Sequence, residues 1–317
     1  MQGLFPYIVR RLLWLPVILL AVSLIAFAFT RFGPGDPVRV AMGQYSNPDA
    51  LARVRHQEGL DKPFFEQYAI YLNNLAHGHL GDSSYYQGRD VSEVIFPAMW
   101  RSAQIGLASL LIVFTIGIPL GIYAALRQGT WTDPFSIGFA LLFQSVPVLI
   151  TVPLMQLVFV LKLHWLPAGG WAGLFDKRMI MPVLALSLPG IAGVARLTRA
   201  TTLGVLGEDY VRTARAKGLP EFTVISRHVA RNALLPLVTI IGLSLVTLLE
   251  GSLFTETLLG ISGIGKLTYN SVESRDYNMI MALIMILATA FIVAALATDI
   301  AYAFIDPRVR YGRKSNG

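Results

Sequence analysis

The stretch Gly260-Ile261-Ser262-Gly263-Ile264-Gly265-Lys266 comes closest to a recognised chemical motif in this chain. Its glycines and lysine are spaced almost as in a loop that cradles phosphate with backbone N–H groups. Leu267 stands where such a loop needs a magnesium-binding Ser or Thr, and no apolar strand precedes it. It therefore reads as a glycine-rich turn before a short helix. His77 and His79 flank Gly78 and offer two metal ligands, fewer than a metal site needs, and no His-Glu-x-x-His occurs among the five histidines. The chain has no cysteine, which excludes disulfides and thiolate chemistry. No cofactor, metal or catalytic set is expected in the chain. The residues that stand out instead are Gly207 to Pro220, running on through Arg227-His228-Val229-Ala230-Arg231-Asn232. They form a polar, basic segment in an otherwise apolar protein.

The elements that would carry these residues are membrane helices. Apolar residues make up 54% of the 317 and charged residues 14%, against about 25% charged in soluble domains. Six windows are long and apolar enough to cross a bilayer, which needs about 20 such residues. They are Leu12–Thr30, Ala103–Leu126, Phe135–Leu161, Met179–Ala195, Asn232–Leu249 and Met279–Thr298, and none holds Asp, Glu, Lys or Arg. The fourth can extend through Arg196 to Ala200. Prolines such as Pro119, Pro147 and Pro189 are tolerated where neighbouring helices satisfy the freed carbonyls. Arg10-Arg11 and Ala26-Phe27-Ala28 give the first window some look of a signal peptide, but it is too long for a normal signal core and is read as a retained helix. An all-α integral membrane protein follows.

Lysine and arginine favour the cytoplasmic side of membrane proteins. With the N-terminus inside, the basic loop and both tails fall in the cytosol, which accounts for the net charge of +7 without invoking nucleic acid. The Ser, His and Asp candidates for nucleophilic catalysis then lie on opposite faces of the membrane. The large outer region Arg31–Ser102 should cap the membrane part. Within it, Asn47-Pro48 opens one short helix, and Pro63 to Ala76 makes another, with Phe64, Tyr68, Leu72 and Leu75 on one face and Gly78 just after. Leu163–Arg178, with Trp165 and Trp171, is a short outer loop with interfacial aromatics. Glu250 and Glu256 are expected to snorkel at the outer end of the fifth window.

Polar residues inside the windows should avoid lipid. Gln104, Gln144, Ser145, Gln156, Ser187 and Thr198 face either other helices or an aqueous path. Gln144-Ser145, beside Pro147, are the strongest candidates to line a path, with Gln156 and Ser187 next. In the basic loop, Glu208-Asp209 sit at a helix start and Arg212, Arg215 and Lys217 toward its end, as the helix dipole prefers. Gly218 suits the stop and Pro220 prevents continuation. Tyr210, Ala214 and the Gly218 backbone would give a small-residue side that a partner groove could approach. A solvated helix lying on anionic lipid fits the composition equally well.

The loop resembles the cytoplasmic coupling motif, or EAA motif, of permease subunits in binding-protein-dependent ABC importers. In its general form Glu-Ala-Ala is followed by three residues and Gly. Here Arg212-Thr213-Ala214 precedes Gly218, and His228-Val229-Ala230-Arg231 stands in place of Ile-x-Leu-Pro. Those departures are similar to the dipeptide/oligopeptide branch, whose pattern Tyr210–Leu219 and Arg227–Pro236 repeat. The likeness extends to Tyr7–Leu13, Pro34-Gly35-Asp36-Pro37, Gly59–Pro63 with Gln67-Tyr68, Leu80-Gly81-Asp82-Ser83, Arg275-Asp276-Tyr277 and Asp306-Pro307-Arg308. Ser262 stands where the branch usually has Pro.

The resemblance implies six transmembrane helices in the type I ABC importer permease fold, with a large outer loop between helices 1 and 2. It divides the chain into 1–30, the extracytoplasmic region 31–102, a transmembrane core 103–305 with coupling loop 201–231, and a tail 306–317. It implies a multi-pass protein of the bacterial inner membrane with both termini cytoplasmic and no ATPase site of its own. The implied partners are a second homologous permease, two cytosolic ATPases that bind ATP and magnesium, an extracytoplasmic solute-binding protein and the peptide substrate. Tyr210, Arg212, Thr213, Ala214, Arg215, Lys217 and Gly218 would enter a groove on one ATPase, whose closure would turn the path from inward- to outward-facing by rigid-body motion. Relatives of this pattern carry dipeptides, oligopeptides, glutathione or nickel complexes. An ion-coupled transporter is disfavoured because no window holds a mid-membrane carboxylate. A membrane enzyme or assembly scaffold would need a clustered catalytic set, and none is present.

Overall fold

A computed structural model describes residues 4–32, 47–57, 59, 61–86, 88–131, 138, 142, 144–237, 240–242, 244 and 252–305. Pro34–Pro37, the first part of the third window, the end of the fifth with Glu250, and the tail 306–317 lie outside them. The described residues are helical apart from turns and one antiparallel bridge, Asp82 to Asp90.

Helix α1 (Leu4–Phe32) is followed by α2 (Pro48–Gln57) and α3 (Phe64–Ala76), then by the long α4 (Val91–Leu126). Next come α5 (Val148–Lys162), whose second half is π-helical, and α6 (Ile180–Leu206). The short α7 (Asp209–Ala216) leads into α8 (Glu221–Ala233), π-helical over Val224–Ala230. Helices α9 (Leu253–Leu258), α10 (Ile264–Glu273) and α11 (Tyr277–Ile305) complete the order.

Four stretches are long and apolar enough to cross a membrane: Leu12–Phe32, Val91–Leu126, Lys177–Leu206 and Tyr277–Thr298. The pair Glu221–Ala233 with Leu235–Gly242, bent by 43°, passes the same test only when the two are taken together, and α5 is a shorter apolar helix. The four stretches fall on the first, second, fourth and sixth sequence windows, α5 on the second half of the third, and Leu235–Gly242 within the fifth. Pro147, extended at ψ 144°, breaks the chain just before α5, as its type requires.

Helices α4 and α6 form the centre. Val113 packs at Gly190, Gly117 at Val194 and Gly121 at Thr198, so the two run parallel with a constant offset. A Cβ at Gly121 would sit 2.5 Å from the Ala195 carbonyl oxygen, and one at Gly190 would sit 2.6 Å from a Val113 methyl. Small residues permit this approach where lipid removes the hydrophobic drive between helices. Helix α6 continues unbroken through Arg196 and Arg199 to Leu206.

One core joins Ile105 of α4, Val152 and Met155 of α5, Met181 of α6 and Ile261. A second joins Val91 and Ile95 to Ile264, Leu267 and Met279. Helix α1 docks on α11 through Phe27 and Met281, and α3 closes that seam with Phe64, Tyr68 and Tyr71. Phe27 meets those three rings at 5.4 to 5.6 Å between centroids, and the Tyr68 hydroxyl lies 2.7 Å from Ser23 Oγ. Helix α3 thus lies on α1 through Phe64 and Tyr68 of the expected face, joined by Tyr71 rather than Leu72 and Leu75. Asn47 caps α2 through its side chain, Asn47 Oδ1 accepting from Asp49 N at 3.1 Å. The N-terminus of α1, the C-terminus of α11 and the basic α7 all lie at one end of the bundle.

Candidate functional site

Helix α7 is held from one side only. Val211 and Ala214 are buried with Val224 and Val229 of α8, against Val205 and Leu206 at the end of α6. Three fully buried valines stabilise this small core by about 1.5–3 kcal/mol each where water is the alternative. Ala214 is only 4% exposed, so the small-residue side expected to face a partner does not include it; it seats α7 on its own loop.

The other expected contact residues lie on the open side. Thr213, Arg215, Lys217 and Gly218 are exposed, as is Arg212, which pairs with Asp209 at 3.1 Å and donates to the Gly207 carbonyl at 3.2 Å. Tyr210 is 40% exposed, and its hydroxyl accepts from Asn232 Nδ2 at 2.9 Å, tying α7 to the C-terminal end of α8. Gly218 ends the helix at φ +74°, where a side chain would be strained, and its N–H donates to Arg215 O. Pro220 then opens α8. Arg215 clamps this elbow with two bonds to Glu221, at 2.7 and 3.2 Å. The guanidinium holds the Glu221 carboxyl below its ordinary range, though an exposed pair stabilises by under about 1 kcal/mol. The pair ties the end of α7 to the start of α8.

A cavity of about 930 Å³ opens along one face of the α4–α6 pair, with Gln144, Ile240, Ser244 and Ser252 also in its lining. Ser109, Val113, Gln144, Pro189 and Gly193 line its walls, Arg196 lines it toward the α7 end, and Glu256 lines the opposite end. Of the four expected path residues, Gln144 lies in the cavity wall. Ser145 is exposed beside it but is not part of the lining, and Ser187 is fully buried, its hydroxyl directed to the Leu184 carbonyl. Gln156 points away, donating to the Ala168 and Leu258 carbonyls and joining the Ala168 loop to the end of α9.

Glu256 is not a snorkelling residue. It is 2% exposed, and its carboxylate accepts from Ser102 Oγ at 2.6 Å and from the N–H groups of Ser252, Gly265 and Lys266 at 3.3, 2.7 and 3.3 Å. The phosphate-like glycine loop is thus a real anion cradle at the start of α10, filled by the chain's own carboxylate. A Cβ at Gly263 would collide with that carboxylate and with Ser102. Burial pushes the Glu256 carboxyl above its usual range against the opposing pull of these donors.

At the same end, two sequence motifs meet. Asp276 is fully buried and caps α11 through Met279 N at 3.2 Å. It also accepts from Ser83 Oγ at 2.5 Å and Tyr85 N at 3.2 Å, while Asn278 Nδ2 donates to the Asp82 carbonyl at 2.9 Å. Leu80–Ser83 and Arg275–Tyr277 were visible as motifs, but nothing in either said that they touch. Asp276→Ala removes a cap and strands buried donors, a loss of about 2 kcal/mol. The turn at Ser83–Arg89 should then open about thirtyfold more often, read as faster tryptic cleavage after Arg89. An unchanged cleavage rate would mean that the staple does not hold the turn.

The comparisons agree with this architecture. Residues 117–311 match the family described as binding-protein-dependent transport system inner membrane component, and residues 4–88 match its N-terminal counterpart. The chain is 38% identical over 306 residues to the oligopeptide transport system permease protein OppB of Salmonella typhimurium, covering 96% of this chain and 99% of that one. It is 33% identical over 331 residues to the dipeptide transport system permease protein DppB of Alkalihalophilus pseudofirmus, with the same coverage. An inward-facing structure of the MetNI methionine ABC transporter shares the fold, with TM-score 0.56 and 17% identity over 68% of this chain and 97% of that one. This chain therefore belongs to the inner membrane components of binding-protein-dependent transport systems, as a multi-pass permease.

Proposed function

We propose that the chain forms half of the path of an ATP-driven importer for di- and oligopeptides. The observation that carries this is the build of α7: a short basic helix rooted in a buried valine core and linked rigidly to α6 and α8, with its other face open. A helix sunk into the apolar interior of the bilayer would present apolar residues outward. This one presents Arg212, Thr213, Arg215 and Lys217. The names of the OppB and DppB relatives support the peptide class.

In this reading α7 and both termini face the cytosol, and α7 enters a groove on one of two ATPases. A second homologous permease supplies the facing wall of the cavity, and a solute-binding protein docks at the Ser83–Asp276 end. The ATPases bind ATP and magnesium; this chain contributes shape and leverage. Residues 31–102 form the outer cover, 103–305 the transport core with coupling loop 201–231, and 306–317 a cytoplasmic tail.

The test is uptake of trialanine by vesicles holding the complete complex. Uptake should require internal ATP and loaded binding protein, and should survive collapse of the proton gradient. Uptake that needs the gradient and ignores ATP would overturn the proposal in favour of an ion-coupled carrier.

A further inference from the structure

Arg196 follows directly on the apolar stretch of α6 that ends at Ala195 and has no partner among the described residues. It is exposed within α6, lines the cavity, and forms no ion pair or hydrogen bond among the described residues. Charged side chains at such positions are costly unless an aqueous route or a counter-ion compensates them. The other charged lining residue cannot be that counter-ion, because both oxygens of Glu256 are already taken by Ser102, Ser252, Gly265 and Lys266. It is also distant. Val194 packs at Gly117, which puts Arg196 level with about residue 119 of α4, some 17 residues beyond Ser102. At 1.5 Å per residue the two ends of the cavity are roughly 25 Å apart.

The wall beside Arg196 is bare. Gly193 lies one turn before it in α6, and a Cβ built there meets nothing within 4 Å. Space, an apolar wall and one free guanidinium occur together. A guanidinium recognises a carboxylate through two parallel hydrogen bonds, and low dielectric strengthens the pair.

We propose that Arg196 is a substrate-binding residue of the path, receiving the C-terminal carboxylate of the peptide in transit. This rests on the peptide-importer reading and deepens it. The carboxylate would enter from the Glu256 end, where no cation competes among the described lining residues, and would be held near the α7 end until the path opens there.

The test uses the complete complex in proteoliposomes, with binding protein preloaded with trialanine or with trialanine amide. Any preference of the binding protein is common to wild type and variant, so the change in the acid-to-amide ratio isolates this chain. Arg196→Gln should lower trialanine uptake about tenfold and leave the amide unchanged, and Arg196→Lys should restore part of the loss. Gly193→Leu, which fills open space without a clash, should slow both peptides alike. An equal fall for acid and amide in Arg196→Gln, or no fall, overturns the proposal. So does a loss that occurs only in vesicles containing phosphatidylglycerol, which would assign Arg196 to lipid headgroups. Failure of the wild type to move either peptide on ATP would instead sink the importer reading.

Discussion

Ala214→Leu is expected to cut ATP-driven uptake to below about one-tenth while the protein remains inserted and its long helices intact. Ala214 is seated among Val211, Val224 and Val229, with Val205 and Leu206 behind. Leucine adds three carbons to a filled space, and overpacking of that kind costs about 1–3 kcal/mol. Relief comes only by lifting α7 from its bed, which separates Tyr210 from Asn232 and strains the Arg215–Glu221 clamp. The damage is confined to the elbow, because this small core shares no residue with the other clusters. Uptake by proteoliposomes, measured beside the amount of ATPase retained on purification, checks it, with Ala214→Ser as the conservative control. Normal uptake in Ala214→Leu would show that the seat of α7 does not transmit force.

Glu256→Leu should lower thermal stability more than any other change at the opposite end. It leaves the Ser102 hydroxyl and the Gly265 N–H facing leucine, each a buried group whose stranding costs about 1–3 kcal/mol. The glycine turn, α10 and the start of α4 lose their common anchor, since Ser102 also accepts from Ile264 N at 2.8 Å. A drop in melting temperature on the order of 5 °C or more in detergent is expected. Glu256→Gln should fall between, because its amide keeps one acceptor but turns a donor toward the donors of the cradle. A melting temperature unchanged in Glu256→Leu would mean that water enters and satisfies the site.

Much of this was legible in the residues. Apolar windows located the membrane helices because the bilayer imposes a length, and the Phe64–Leu75 face and the Gly218-Leu219-Pro220 stop followed from local rules. Ala214 was misjudged because an eight-residue helix presents two faces, and only the fold shows that α8 doubles back to cover one. Gln156 and Ser187 take the inward-facing alternative rather than the path, and Glu256 was misjudged, for a related reason. Their partners are carbonyls and N–H groups, which every residue carries, so no side-chain pattern reveals them. The contact of Ser83 with Asp276 spans 193 residues. One signal was present and unused: Gly117 and Gly121, four apart, marked the seam with α6.

That seam limits how the bundle can move. With Val113, Val194 and Thr198 seated in glycine notches, α4 and α6 cannot slide against each other without jumping a full turn, about 5.4 Å. They make a single stiff plank. Any gating stroke must therefore tilt the plank whole, and its pivots must sit at the plank's margins, where Pro147 interrupts one neighbour.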